Sequence, residues 1–107
     1  QNVTKAFKTF KEENAAVVRL GDVCTGHGCF GSRPNDTASG DTFVNDLAVH
    51  RKGDHWITHC CGPPCHDSTL SSGSPDTFCN DLDVGRVGDP IACGSACATG
   101  SQDVFIN

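Results

Sequence analysis

A chain of 107 residues with 36% hydrophobic content, twelve Gly, no Met and no Tyr is one domain with few large groups to bury. Its eight Cys and five His point to a staple, disulfide or metal, in place of a large apolar core. The net charge of −5, with only eight Lys and Arg spread evenly, excludes a basic nucleic-acid-binding face, and no apolar run is long enough to span a membrane. No signal-peptide pattern opens the sequence, so a reducing compartment and mostly free thiols are expected.

In chain order, residues 1–14 differ from the rest. Val3, Phe7 and Phe10 fall at helical spacing among Lys and Glu, which predicts a short amphipathic helix or docking arm, with a partly ordered extension as the plainer reading. The expected division is therefore an N-terminal extension over 1–14 and a repeat domain over 15–107. The sequons at Asn2 and Asn35 read as chance occurrences.

From residue 15 onward one unit recurs. R-x-G-D occurs three times, as "RLGD" (19–22), "RKGD" (51–54) and "RVGD" (86–89). A second element recurs as "GDTFVNDL" from Gly40, "PDTFCNDL" from Pro75 and "SQDVFIN" from Ser101. Short β-type stretches precede the R-x-G-D elements: "AAVV" (15–18), "LAVH" (47–50) and "LDVG" (82–85). Each unit thus reads as a strand, an R-x-G-D turn, a loop, then D-x-F-x-N and a hairpin turn at Asn-Asp. Within R-x-G-D the Gly is expected at positive φ, with Arg and Asp bonded to each other rather than to a partner protein. Phe43, Phe78 and Phe105 read as core, and Cys79 as a small buried apolar residue in the place of Val44 and Ile106. Three such units predict a compact object with approximate threefold symmetry. The third unit stops at "VFIN", so its return strand must come from the other end, with Val104–Asn107 pairing Ala16–Arg19.

The loops carry the soft ligands. His27 and His59 each stand five residues after the Asp of their turn, and Cys93 stands four after Asp89. The long second loop, "HCCGPPCHD" over 59–67, adds His66. His27, His59, His66 and Cys93 make a His₃Cys set that zinc accepts, with no position left open for substrate. A rival set also sits at matched offsets: Cys29, Cys61 and Cys97, which could bind metal or pair with Cys24, Cys60 and Cys65. His50, on an expected strand, and His55, at a turn, have no counterparts in the other units and are not read as ligands.

These motifs, in register and in this order, resemble the PAAR-repeat proteins, over about residues 15–107: "RLGD…TGHGCF", "HRKGDHWITHCCGPPCHD", "SGSPDTFCNDLDVGRVGDPIACGS" and "GSQDVFIN". The resemblance implies a mainly β, pseudo-threefold cone of three short hairpin-and-loop repeats with zinc near its vertex. It implies a structural role without catalysis, as the tip that caps and sharpens the membrane-piercing spike of a phage tail (baseplate) or type VI secretion machine. The partner implied is a homotrimeric β-helical spike, one monomeric tip per trimer, with the target envelope met on penetration and no nucleic acid bound. The implied location is the virion tail spike tip, or the cytoplasm followed by type VI export. His27 matches the family's "HG" ligand, Cys93 its "CG" ligand, and His59 and His66 the middle pair.

Two other classes compete. A zinc or thiol enzyme would need C-x-x-C or H-E-x-x-H, and neither is present; the sole acidic group near the His cluster is Asp67. A secreted disulfide-knotted binding module or toxin would pair all eight Cys in four bridges and hold no metal.

Overall fold

The computed structural model describes residues 15–107. The expectations for the arm over 1–14, and the sequon at Asn2, lie outside the described residues.

Three two-stranded ladders of the same design form one end of the molecule. Strands β1 (Ala15–Ala16), β2 (Phe43–Val44), β3 (Leu47–Ala48), β6 (Phe78–Cys79), β7 (Leu82–Asp83) and β8 (Phe105–Ile106) pair as β2–β3, β6–β7 and β1–β8, all antiparallel. The Asn-Asp turns close the first two, with φ of 55° and 65° at Asn45 and Asp46 and 54° and 65° at Asn80 and Asp81. Two successive positive φ values match the right-handed strand twist of a tight hairpin, and Asn and Asp tolerate them better than other side chains. The third ladder joins the two ends of the repeat region. It pairs Ala15 with Ile106 and Ala16 with Phe105, and Val17 N donates to Val104 O at 3.1 Å. The seam is therefore closed as the repeat offset requires, about two residues earlier in the chain than the expected Ala16–Arg19 pairing. Val18 and Arg19 are instead committed to the other units.

That commitment is cyclic. Val18 N donates to Gly85 O (2.9 Å), Gly85 N to His50 O (2.9 Å), and His50 N to Val18 O (3.0 Å). A second ring runs the opposite way round: Leu20 N to Ala48 O (2.7 Å), Lys52 N to Asp83 O (2.8 Å), and Val87 N to Ala16 O (2.9 Å). Each unit thus bonds to both of its neighbours through equivalent residues, which satisfies these backbone donors near the axis.

Each R-x-G-D is the turn that its composition predicts. Gly21, Gly53 and Gly88 have φ of 90°, 90° and 96°. The Arg backbone N and guanidinium both donate to the Asp carboxylate: Arg19 Nε to Asp22 at 3.0 Å, Arg51 Nε to Asp54 at 2.9 Å, and Arg86 Nη2 to Asp89 at 2.7 Å. Asn35 is buried and bound into the first turn, accepting from Gly21 N and donating to Arg19 O, which explains that sequon as structure.

The apolar interior has two layers. Val17, Val49 and Val84 pack with Val44, Cys79 and Ile106 at the hairpin end, a threefold set in which Cys79 fills an aliphatic site. Val18, Cys24, Trp56, Leu70, Ile91 and Cys97 form the second layer, under the loops. The expectation that all three Phe are core is corrected. Phe43 is 59% exposed and Phe78 half-buried, whereas Phe105 is buried. Side chains alternate along a strand, so at Phe43 and Phe78 the next residue points inward and the Phe faces outward, whereas on β8 both Phe105 and Ile106 are buried.

The second loop breaks the symmetry. It forms a long hairpin, β4 (His55–Cys60) and β5 (Cys65–Thr69), with a bulge between Trp56 and His59. His55, expected at a turn, is the first residue of β4. The described residues thus form a small, mainly β, compact pseudo-threefold cone without a helix.

Candidate metal centre

The loops that leave the three turns converge, and four side chains meet. His27 lies in a tight turn of the first loop, where its backbone exchanges hydrogen bonds with Phe30 at 3.0 and 2.9 Å. Gly26 enters that turn at φ 75°, and a Cβ there would stand 2.5 Å from Phe30 O, so the turn needs glycine. His59 and His66 are direct cross-strand partners on β4 and β5. Cys93 precedes Gly94, which turns the third loop at φ 109°.

The ligand atoms of His27, His59, His66 and Cys93 all lie within 4.8 Å of one another. His66 Nε2 is 2.7 Å from His59 Nε2 and 3.1 Å from His27 Nε2, and Cys93 Sγ is 4.0 Å from His59 Nε2. Imidazole nitrogens aimed at one another this closely need a proton or a cation between them. Three such nitrogens with a thiol suit a metal ion of the borderline-soft kind, so the donor set fits. The surroundings orient it: His59 is buried, and its Nδ1 lies 2.7 Å from Gly31 O, which assigns the proton to Nδ1 and turns the Nε2 lone pair inward. Phe30 covers the cluster, its ring centroid 4.2 Å from that of His66 and 4.9 Å from that of His27. Desolvation and the neighbouring His59 and His27 imidazoles hold His66 below the ordinary histidine pKa, which favours the neutral ring that a metal requires.

Two disulfides staple the same end. Cys60 and Cys65, the pair next to His59 and His66, are bonded with Cα atoms 4.0 Å apart. Cys29 and Cys61 join the first loop to the second with Cα atoms 5.3 Å apart. The expectation of mostly free thiols is corrected: four cysteines are paired and four, Cys24, Cys79, Cys93 and Cys97, are free. The rival set is not assembled, because Cys97 lies opposite Cys24 in the upper core while Cys29 and Cys61 bond to each other. Nor does a four-bridge knot form.

The two remaining histidines stand elsewhere. His50 is fully buried, with Nδ1 3.0 Å from Thr37 O and its ring edge-on to Trp56. His55 lies between Asp36 (2.6 Å) and Asp67 (2.7 Å), which raise its pKa. The sequence reading missed the Gly31 carbonyl and the Phe30 cover, and no spacing rule identifies a backbone acceptor.

A family profile described as PAAR motif matches residues 34–99. The chain belongs to the PAAR-motif family. None of the curated proteins matches it. PAAR-motif proteins are structural spike-tip components of contractile injection machines, phage tails or type VI secretion systems, and this chain is one of them. The matched span contains His59, His66 and Cys93 but starts after His27 and stops before β8.

Proposed function

We propose that His27, His59, His66 and Cys93 bind one structural zinc ion, and that the domain over 15–107 is a rigid point seated on a homotrimeric spike. The observation that carries this reading is the convergence of four donor atoms from three separate loops, with His59 pre-oriented by Gly31 O. Bound there, zinc would supply a cross-link between the loops, worth roughly 10–16 kcal/mol in small structural sites. That matters in a domain whose loops otherwise bury little, because a splayed vertex cannot transmit a contraction force through an envelope. With all four positions filled by protein, no reaction is expected at the site.

The opposite end fits a trimer. The hairpins present Phe43, Leu47 and Leu82, each 39% exposed or more, around an axis of approximate threefold symmetry. A single chain with three like units can match three spike chains without itself being a trimer, which gives one tip per three spike subunits.

Metal analysis of the purified protein with single Ala variants tests the centre. One zinc per chain is expected, falling in each of the four variants, while His50→Ala and His55→Ala keep it. Full zinc retention in Cys93→Ala would overturn the set. Mass measurement of the tip mixed with its spike tests the seating: a 1:3 complex is expected, and a 3:3 complex would refute it.

A further inference from the structure

The free thiols Cys24 and Cys97 belong to different loops and have no role in the metal centre. They are Cα partners in an isolated antiparallel bridge between the first and third loops. The flanking residues make the ladder bonds: Thr25 N donates to Ala96 O and Ala98 N to Val23 O, both at 2.9 Å. Cys24 and Cys97 are thus a non-hydrogen-bonded pair. Such pairs bring Cα atoms to about 4.5 Å and lean their side chains together on one face of the ladder. That separation lies within the range of disulfides, about 4.4–6.8 Å.

The molecule already contains a bond of this class. Cys61 N donates to Pro64 O at 2.9 Å, which makes the adjoining Cys60 and Cys65 a non-hydrogen-bonded pair as well, and these two are disulfide-linked. Cys24 and Cys97 are 3% and 2% exposed and share one apolar cluster.

We propose that Cys24 and Cys97 form a third disulfide when the chain meets a small-molecule disulfide oxidant such as oxidised glutathione. One thiol, as thiolate, attacks the oxidant and releases one reduced glutathione. The second then displaces the other glutathione from the mixed disulfide, so two protons leave the cysteines and two electrons pass to the oxidant. Burial pushes the Cys97 thiol up to about 12, so the exchange proceeds while the loops are open, during folding or transient opening. The product ties loop one to loop three, as Cys29–Cys61 ties loop one to loop two. All three loops are then covalently joined, independently of any metal.

The test is to refold the full chain in an oxidised/reduced glutathione buffer, and to incubate native protein in the same buffer. Both are then unfolded and alkylated with iodoacetamide for mass analysis. In the refolded protein two alkyl groups per chain are expected, located on Cys79 and Cys93, rising to three in Cys24→Ser and in Cys97→Ser. The melting temperature of the oxidised wild type should exceed that of Cys24→Ser by on the order of 10 °C, because the bond closes a long loop. Four alkyl groups on the refolded wild type, or alkylation of Cys24 or Cys97 in place of Cys93, would overturn the proposal.

Discussion

Asn80 Nδ2 donates to Asp41 Oδ1 at 3.0 Å, clasping the second unit's hairpin turn to the first unit's Ser-x-Asp turn. The contact is repeated around the axis: Asn45 donates to Asp103 at 2.9 Å and Asn107 to Asp76 at 2.8 Å. Asn80 Oδ1 also accepts from Ser39 Oγ at 2.7 Å and Arg51 Nη1 at 2.8 Å, and Asn45 Oδ1 accepts from Ser101 and Arg19 in the same way. The Asn80 amide holds the Asp41 carboxyl well below the usual carboxylate range. Asn45 and Asn80 therefore each do two things: they take the positive φ of the turn and they lock neighbouring units together, while Asn107 makes the inter-unit contact.

Asn80→Ala should cost about 2–3 kcal/mol, through the lost inter-unit bonds and the strain of a Cβ residue at φ 54°. Asn80→Gly loses the same bonds but relaxes the turn, so it should recover about 1 kcal/mol. Denaturant melts of the two variants measure both; an Asn80→Ala protein as stable as wild type would show that the clasp is dispensable.

The seam makes the last residues of the repeat domain necessary. Removing 104–107 strips β8 from β1 and exposes the cavity left by Phe105 and Ile106, both buried. Each such side chain contributes roughly 1.5–3 kcal/mol when buried, so the loss should reach several kcal/mol. Calorimetry of the truncated chain should show a large fall in melting temperature. An unchanged melt would place the closure of the ring elsewhere.

Near the axis, the three equivalent positions hold Val18, His50 and Gly85. A Cβ on Gly85 would come within 2.9 Å of Leu70 Cδ2 and 3.3 Å of His50 O, so the missing side chain makes room for its neighbours. Gly85→Ala should destabilise by about 1–3 kcal/mol through overpacking, measurable by urea unfolding. A neutral result would mean that Leu70 moves aside freely.

His50 also predicts a pH dependence. Burial lowers its pKa below the ordinary 6.5, while its Nδ1 bonds Thr37 O and its Nε2 has no partner. The unfolded chain therefore binds the proton more tightly. His50 costs no stability above 6.5, and stability is lost as pH falls through 6.5 towards the lower folded-state value. The stability difference between wild type and His50→Gln, followed from about pH 8 to 5, should shift against wild type on acidification. All other titratable groups are common to both proteins, so a constant difference would remove His50 from the acid response.

Much of the architecture was legible because repetition makes local signals agree. R-x-G-D recurs as a unit because its Arg, Gly and Asp satisfy one another within four residues, and Asn-Asp recurs because both residues accept positive φ. Such short-range chemistry determines turns, and the register of three turns determines the pseudo-threefold order and the need for the chain ends to meet. Other features were decided by tertiary structure. Whether a Phe or its successor faces inward depends on which face of a two-residue strand meets the axis, and composition does not record that for Phe43. Nearly equal loop offsets suggested that Cys29, Cys61 and Cys97 would come together. The third loop instead carried Cys97 across a ladder to Cys24, because pairing depends on which strands lie side by side and not on distance from a turn. The carbonyl of Gly31 and the ring of Phe30 reach the histidines only through the fold, since a backbone acceptor and a packing surface carry no residue signature until the chain has closed around them.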